Sequence, residues 1–149
     1  MSETGHILVA EDDPTDAYFF QRAFRRAGLP VTLHFVRDGE EVIDYLQGSG
    51  SFADRTLHPL PQLVLLDLNM PRLDGFQVLA WVRSQPRLND LQIVMFSSSD
   101  EPKDIHRAHA LGANSYLVKP HSMDELMALV GRFKKFWLEN TPEPTRRAA

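Results

Sequence analysis

The sequence predicts an α/β protein built on a doubly wound, five-stranded parallel sheet with helices on both faces. Short aliphatic runs alternate along the chain with longer segments of helical periodicity, which is the pattern of repeated β–α units. Five strands and five helices joined by right-handed crossovers leave few strand orders, and the order 2-1-3-4-5 suits a chain of 149 residues. We therefore expect the carboxyl ends of the strands to meet at one edge of the sheet.

Five short apolar runs are the predicted strands. The third, LVLLD, is aliphatic until its last residue and is expected to be fully buried, whereas the second, VTLHFV, alternates like a half-exposed edge strand. In chain order the predicted strands span residues 6–10, 31–36, 63–67, 92–96 and 115–118.

Five further segments have helical signals. The first begins at Pro14 and stops at Gly28, and the last has Ser122 and Glu125 at the spacing of a capping box. In chain order the predicted helices span residues 14–28, 39–48, 75–85, 101–112 and 122–140. The last helix carries an apolar stripe expected to face the core, formed by Leu126, Val130, Phe133 and Trp137.

The chain is expected to form one domain over residues 1–140, followed by a flexible tail at 141–149 that is rich in proline, charge and small side chains. Residues 48–62 are rich in Gly, Ser and Pro and predict a long loop. A loop of this length is either a functional, partner-binding segment or a tolerated surface insertion.

Composition and charge are those of a globular protein without a nucleic-acid surface. Sixteen basic and twenty acidic residues give a formal charge of −4, with no basic stripe. The absence of cysteine excludes disulfide and thiolate chemistry. No apolar stretch approaches the roughly 20 residues that span a bilayer, and the N-terminus lacks signal-peptide features, so we expect a cytoplasmic protein with no membrane partner.

Polar side chains end four of the five predicted strands. Each has an ordinary explanation when it is taken alone, as a turn, cap or surface residue, but four such endings together make coincidence a poor explanation. In strand order they are Glu11, Asp12 and Asp13, then Asp67, then Ser97 and Ser98, and last Lys119.

These residue types suit Mg²⁺-assisted phosphoryl transfer. Crowded carboxylates repel one another unless a hard cation lies among them, and Mg²⁺ takes one or two carboxylates, keeps waters and bridges to phosphate oxygens. A lysine ammonium and a serine hydroxyl supply a charge and a donor for phosphate. An aspartate such as Asp67 can itself accept the phosphoryl group as an acyl phosphate, and the reaction then needs positioning and charge neutralisation above all.

The segments that carry these residues resemble the receiver domain of two-component response regulators. The resemblance covers residues 6–138 and rests on ILVAEDDP, LVLLDLNMPRLDG, VMFSSSD and GANSYLVKP, in the family's order and spacing. It implies the flavodoxin-like receiver fold and transfer of a phosphoryl group from a sensor histidine kinase to Asp67. It also implies a signalling protein rather than an enzyme, one that assists its own phosphorylation and dephosphorylation.

The resemblance implies a metal site as well. Mg²⁺ is expected on the carboxylates of Asp12 and Asp67 and on the backbone carbonyl of Asn69, with Glu11 holding a magnesium-bound water. Asp13 falls one place beyond the family's acidic pair, and we interpret it as a helix-start residue.

Three more residues take positions that the family uses for switching and phosphate pairing. Ser97 stands at the position of the switch hydroxyl. Tyr116 stands at that of the aromatic on the last strand, which turns inward when the hydroxyl moves toward the phosphate. Lys119 takes the position of the phosphate-pairing lysine, and its peptide bond to Pro120 is expected to be cis, as in the family.

Within the family, the long loop, NSYLVKP and the last helix ending FWL resemble the single-domain regulators paired with bacterial and cyanobacterial phytochromes. Such regulators pair through helix 4, strand 5 and helix 5, so a homodimer across that face is expected. A stand-alone regulator signals by protein contacts, or passes its phosphate to a phosphotransfer protein or downstream target. We expect loop 48–62 and the surface of the first helix to select the kinase. Further apolar side chains that flank the last helix's stripe are candidates for covering a partner: Met127, Leu129, Phe136 and Leu138.

Two other functions stay open at this point. A haloacid-dehalogenase-like phosphatase also has an aspartate nucleophile after a buried strand, but its second aspartate, the general acid, would have to stand where Asn69 does. The other is a receiver-like interaction module that is never phosphorylated. The intact set of Asp12, Asp67, Ser97 and Lys119 argues against that function.

Overall fold

The structure, a computed structural model, describes residues 5–140 and consists of a five-stranded parallel sheet between two layers of helices. The strand order is 2-1-3-4-5, as predicted, and the flexible tail predicted at 141–149 lies outside the described residues. The strands are β1 (Gly5–Ala10), β2 (Val31–Val36), β3 (Leu63–Leu66), β4 (Gln92–Ser97) and β5 (Ser115–Val118). The helices are α1 (Pro14–Ala27), α2 (Gly39–Gln47), α3 (Gly75–Arg83), α4 (Pro102–Ala110) and α5 (Met123–Asn140).

Two helices end two residues earlier than predicted, each for a local backbone reason. The third was expected to reach residue 85, but Gln85 precedes Pro86 and has an extended backbone, because the proline ring disfavours helical geometry in the residue before it. The fourth was expected to end on Gly112, but it ends at Ala110, because Gly112 has φ +106°, which a right-handed helix cannot contain.

Side chains cap the helices that follow the acidic and lysine segments. The carboxylate of Asp13 accepts hydrogen bonds from two backbone N–H groups in the first turn of α1, which confirms its helix-start role. Before α5, the hydroxyl of Ser122 accepts from the N–H of Glu125 at 3.1 Å. The carboxylate of Glu125 accepts from the N–H of His121 at 2.9 Å, one residue earlier than in a standard capping box.

The sheet separates two apolar cores because successive strand residues point to opposite faces. In β1, Ile7 and Val9 pack with α1 and α5, whereas Leu8 and Ala10 pack with α2 and α3. The central strands β1, β3 and β4 are thus covered on both sides, as their continuous apolar runs predict.

The predicted stripe of α5 is buried as expected, but its flanks contribute more to the core than we predicted. Leu129 is buried among the same residues as the stripe, and Met127 packs against them, because α5 lies close against both the sheet and α1. Leu129 is therefore not free to cover a partner, whereas Met127 stays partly exposed. The side chains of Phe136 and Leu138 lie outside the described part of the chain.

Loop 48–62 is anchored to α2. The Arg55 guanidinium donates to the carbonyls of Tyr45, Leu46 and His58 at 2.8, 2.9 and 3.0 Å, and the Tyr45 hydroxyl donates to the carbonyl of Pro59 at 2.9 Å. The end of the loop bonds to the start of β1, where the N–H of residue 62 donates to the carbonyl of residue 6. The loop therefore lies toward the edge of the sheet opposite the predicted phosphoryl-transfer residues.

Among residues 5–140, no helix combines the length and the apolar character that crossing a bilayer requires.

Two glycine substitutions test the packing of the helices. A Cβ added at Gly39 would collide with the carbonyl oxygen and Cβ of Leu73, whereas one added at the exposed Gly131 in α5 meets nothing within 4 Å. Gly39→Ala should lower the free energy of unfolding by about 2 kcal/mol through overpacking. Gly131→Ala should raise it by about 0.5–1 kcal/mol through helix propensity. Urea denaturation measures both, and a Gly39→Ala protein as stable as wild type would contradict the close approach of α2 to the loop before α3.

Candidate functional site

The parallel sheet brings the predicted strand-end residues to one edge. Ala10 of β1 pairs with Leu66 of β3, so Glu11 and Asp67 follow neighbouring paired residues. Ser97 ends β4, and its carbonyl accepts a hydrogen bond from the N–H of Lys119 at 2.8 Å. The last residue of β4 and the residues that follow β1, β3 and β5 therefore meet, as the topology predicts.

The Lys119 ammonium joins the acidic residues of this edge. Its Nζ donates to Oε1 of Glu11 at 2.7 Å and to Oδ2 of Asp67 at 2.9 Å. The side chains are 17% exposed for Lys119, 6% for Glu11 and 7% for Asp67. Asp67 can therefore end a buried strand as a carboxylate, because a cation shielded from water compensates its charge.

The remaining oxygens of the two carboxylates accept backbone hydrogen bonds. Oδ1 of Asp67 accepts from the N–H of Asn69 at 3.1 Å, and Oε2 of Glu11 accepts from the N–H of Asp13 at 3.1 Å. Among the described residues, no buried side-chain nitrogen or oxygen lacks a hydrogen-bond partner. The carboxylates are thus held in fixed orientations before any ligand arrives.

Burial and charge pull the pKa values of this cluster in opposite directions. Burial raises the pKa of the Glu11 carboxyl above its usual value and outweighs the lowering by Lys119, while the Asp67 charge raises it further. For Lys119, burial lowers the pKa, but the hydrogen bonds and charges of Glu11 and Asp67 outweigh it and raise the pKa above its usual value. Lys119 is therefore cationic, whereas burial disfavours the charged form of Glu11.

The acidic side chains can hold a divalent cation. Glu11, Asp12 and Asp67 each offer a carboxylate oxygen, and these atoms all lie within 4.8 Å of one another. Three carboxylates and one ammonium leave two uncompensated negative charges, and oxygen donors suit a hard cation. Asp12 is exposed, so the cluster opens to solvent on its side.

A glycine allows the segment after Asp67 to fold closely over the sheet. A Cβ added at Gly75 would lie 2.6 Å from the carbonyl oxygen of Asp67 and 2.9 Å from Cα of Leu68. The N–H of Gly75 donates to the carbonyl of Leu68 at 2.8 Å. Backbone contact at this point fixes the position of the Asp67 segment against α3.

Ser97 and Tyr116 are connected through Ser99, whose role the sequence did not predict. The buried Ser97 hydroxyl accepts from the N–H of Ser99 at 3.2 Å, and the Tyr116 hydroxyl donates to the Ser99 carbonyl at 2.9 Å. The Ser99 hydroxyl donates to Oδ2 of Asp104 in α4 at 2.6 Å. The run of three serines after β4 was the available signal, but a run alone does not identify which hydroxyl contacts α4.

The Lys119–Pro120 peptide bond is trans, contrary to the expectation, because residues 5–140 contain no cis peptide bond. A trans bond is the lower-energy form by about 0.5–1 kcal/mol for a residue before proline. With it, the Lys119 ammonium still reaches both carboxylates and its N–H still bonds to Ser97. Those contacts of Lys119 accordingly do not depend on the cis form.

A cavity of about 270 Å³ opens beside the acidic cluster, between α1 and the segment that joins β5 to α5. Its floor is apolar, with Phe20 and Phe96 among its lining residues, and Lys119 lies on its wall. Tyr18 and Phe19 are exposed on α1, and Phe19 lines the same cavity. An apolar surface thus adjoins the acidic site.

Lys119→Met tests the importance of the buried cation. The change removes the ammonium but keeps an apolar stem, so two buried carboxylates lose their partner, and the free energy of unfolding without divalent cations should fall by about 3 kcal/mol. Lys103→Met is the matched control, because Lys103 is exposed, pairs with Glu101 only at 3.7 Å, and should change stability by less than about 0.5 kcal/mol. Equal effects of the two substitutions in urea denaturation would show that Lys119 does not stabilise the cluster.

Comparisons with known proteins agree with this fold. The chain matches the family model of the response regulator receiver domain over residues 7–131. The probable methanogenesis regulatory protein FilR2 of Methanothrix harundinacea is 36% identical, over 89% of this chain and 83% of its own length. The response regulator Rcp1 of Synechocystis is 32% identical, over 93% of this chain and 92% of its own.

Solved structures show the same similarity. The response regulator RPA3017, in red light signaling of R. palustris, has a TM-score of 0.87 at 38% identity, over 94% of this chain and 98% of that one. The phosphorylated cyanobacterial phytochrome response regulator RcpA has a TM-score of 0.85 at 33% identity, over 95% and 99%. The Mn²⁺-bound form of Rcp1 has a TM-score of 0.82 at 31% identity, over 94% and 99%. This chain therefore belongs to the response regulator receiver domain family and is similar to phytochrome response regulators over nearly its whole length.

Proposed function

We propose that this protein is a phosphoacceptor switch in which Asp67 accepts a phosphoryl group from a sensor histidine kinase. The observation that carries the proposal is the Asp67 carboxylate, buried at a strand end and bonded by Lys119 at 2.9 Å within a cluster that has excess negative charge. The protein acts as a signalling protein rather than as an enzyme with a separate substrate. No observation favours the phosphatase alternative, and the cytoplasmic location stays a prediction.

In the proposed transfer, an oxygen of Asp67 forms a bond to phosphorus while the bond between phosphorus and the donor nitrogen breaks. The electron pair of that bond stays with the donor imidazole, and the product is an acyl phosphate. Lys119 then pairs with a phosphoryl oxygen, and the Ser97 hydroxyl donates to another. Neither residue needs to exchange a proton, which fits a firmly cationic lysine.

Mg²⁺ is the proposed cofactor. Asp12, Asp67 and the backbone carbonyl of Asn69 would hold it, and it would supply charge neutralisation for the phosphoryl oxygens. Glu11, whose Oε1 accepts from Lys119 and whose Oε2 accepts from the Asp13 N–H, would contact the metal through a bound water. The Mn²⁺-bound form of the relative Rcp1 supports a divalent cation in this family.

The hydrogen bonds of Ser99 support a route from the acceptor to α4. A Ser97 hydroxyl that turns toward a phosphoryl group would weaken its bond to the Ser99 N–H, and Ser99 also bonds to Tyr116 and to Asp104. Phosphorylation would thereby alter the packing of α4 and β5, which is a local charge change acting on a bistable element. The exposed Val118 on β5 leaves this face open for the expected homodimer, which stays a prediction.

The kinase is proposed to dock on α1. Tyr18 and Phe19 are exposed apolar side chains beside the cavity that Lys119 lines, so a donor placed over Asp67 would also lie near them. Similarity to RPA3017 and RcpA supports a phytochrome as the kinase. Loop 48–62 lies toward the other edge of the sheet, and its role in kinase choice stays a prediction.

Acetyl phosphate tests the acceptor directly. Intact-protein mass should show one added phosphoryl group on wild type in the presence of Mg²⁺, and none after Mg²⁺ is removed with a chelator. Asp67→Asn should abolish the addition because an amide is a poor nucleophile, while Asp90→Asn, at an exposed turn, should leave it unchanged. A phosphoryl group that persists in Asp67→Asn, or none on wild type even from a sensor kinase, would contradict the proposal, and the latter result would favour an interaction module.

A second experiment tests the docking surface. Phe19→Ala should slow phosphotransfer from a phytochrome-type sensor kinase by about tenfold, because apolar anchors dominate interfaces, while the rate from acetyl phosphate stays at the wild-type value. Leu57→Ala, at an exposed position of loop 48–62, probes the other predicted surface with the same assay. If Leu57→Ala slows the kinase reaction and Phe19→Ala does not, the docking site is on the loop and not on α1.

A further inference from the structure

Two histidine side chains meet far from the acidic cluster. Nδ1 of His6, near the start of β1, lies 3.0 Å from Nε2 of His34 in β2. The strand register sets His34 beside Leu8, two residues along from His6, so both imidazoles project from the same face of the sheet. Their positions are therefore fixed by strand pairing rather than by a loop.

A contact between two imidazole nitrogens has two possible causes. A neutral imidazole has one N–H and one lone pair, so the nitrogens can share a proton in an N–H···N hydrogen bond. They can also direct two lone pairs at one metal ion. With metal–nitrogen bonds of about 2.05 Å, a 3.0 Å separation corresponds to an angle of about 95° at the ion.

This angle discriminates between metals. Adjacent ligands of a square-planar or octahedral ion subtend about 90°, whereas tetrahedral ligands would hold the two nitrogens about 3.3 Å apart. Cu²⁺ and Ni²⁺ take the square-planar or tetragonal arrangement with nitrogen ligands. The separation thus fits these ions better than tetrahedral Zn²⁺.

The surroundings of His34 favour its neutral imidazole, which has a free lone pair. Burial lowers the pKa of His34, and the nearby His6 and His58 lower it further. The charges that act on His34 come from imidazoles and not from a carboxylate, so hard cations such as Mg²⁺ gain little here. Both histidines remain partly exposed, which gives an ion and its waters access.

The Tyr45 side chain packs against one side of the His6–His34 pair, at His34. The buried Tyr45 ring lies 6.0 Å from the His34 ring, between centroids, and the hydroxyl of Tyr45 is fixed by its bond to Pro59. Within residues 5–140, the acidic cluster is the one group of three or more His, Cys, Asp or Glu with ligand atoms mutually within 4.8 Å. The protein would therefore supply two nitrogens, and water would complete the coordination.

We propose that His6 and His34 form a second metal site, separate from the acidic cluster, that binds a borderline transition-metal ion of the Ni²⁺ or Cu²⁺ type. Glu11 lies five residue steps along the strand direction from His6, a distance of about 16 Å, so the two sites do not share ligands. The ion joins β1 to the edge strand β2. Because it requires the strand register, it binds the folded chain and stabilises it.

Calorimetric titration with Ni²⁺ tests the site, in buffer that contains excess Mg²⁺ so that hard-cation sites are saturated. Wild type should bind one Ni²⁺, and His34→Gln and His6→Gln should each weaken binding by at least about tenfold, since each leaves a single imidazole. His106→Gln is the matched control, because His106 and His109 form an exposed histidine pair on α4. It should bind Ni²⁺ like wild type.

Circular dichroism first establishes whether each variant is folded. If His34→Gln does not fold, the binding measured for His6→Gln decides the question. Weakened binding in every folded His6 and His34 variant, with retention in His106→Gln, supports the proposal. No Ni²⁺ binding by wild type would leave the N–H···N hydrogen bond as the whole explanation of the contact. Binding that survives both β-strand substitutions, or that disappears in His106→Gln, would assign the ion to another place and overturn the proposal.

Discussion

The Lys119 ammonium between Glu11 and Asp67 is the interaction on which the rest of the site depends. Burying two carboxylates close together is unfavourable, and a single shielded cation at 2.7 and 2.9 Å compensates them only in part. The pKa of Glu11 stays raised by burial in spite of Lys119. Three carboxylates against one ammonium leave excess negative charge at the carboxyl ends of the strands, where a divalent cation is stabilised and where Lys119 can pair with a phosphate.

The parallel sheet explains how distant parts of the chain reach this arrangement. Every strand enters the edge in the same direction, so residues that follow β1, β3 and β5 converge without a dedicated loop. Hydrogen bonds also connect this edge of the sheet to α4 and β5. Ser99 connects Ser97 at the end of β4 to Asp104 in α4 and to Tyr116 in β5, so a movement of Ser97 has a short hydrogen-bonded route to α4 and β5. The parallel sheet thus explains both the convergence of the strand-end residues and the hydrogen bonds from Ser99 to α4 and β5.

The elements and the acidic residues could be predicted because their signals are local. Apolar periodicity indicates strands and helices, and the aspartate that ends the aliphatic run LVLLD can be identified from the sequence alone. Other features depend on distant neighbours. The burial of Leu129 follows from how α5 packs, and the contact of His6 with His34 follows from the register of β1 against β2. The expected cis bond before Pro120 came from family resemblance, and no local pattern in the sequence could test it.

Chemical mapping of the acceptor tests the central claim most directly. Borohydride reduces an acyl phosphate to an alcohol, so a protein phosphorylated by its kinase, reduced and digested, marks the modified aspartate as homoserine. Mass spectrometry of the peptides should find homoserine at position 67 and nowhere else. Homoserine at position 12 or 13, or an unmodified residue 67 in fully phosphorylated protein, would contradict the account, because the carboxylate that Lys119 holds would not be the one that reacts.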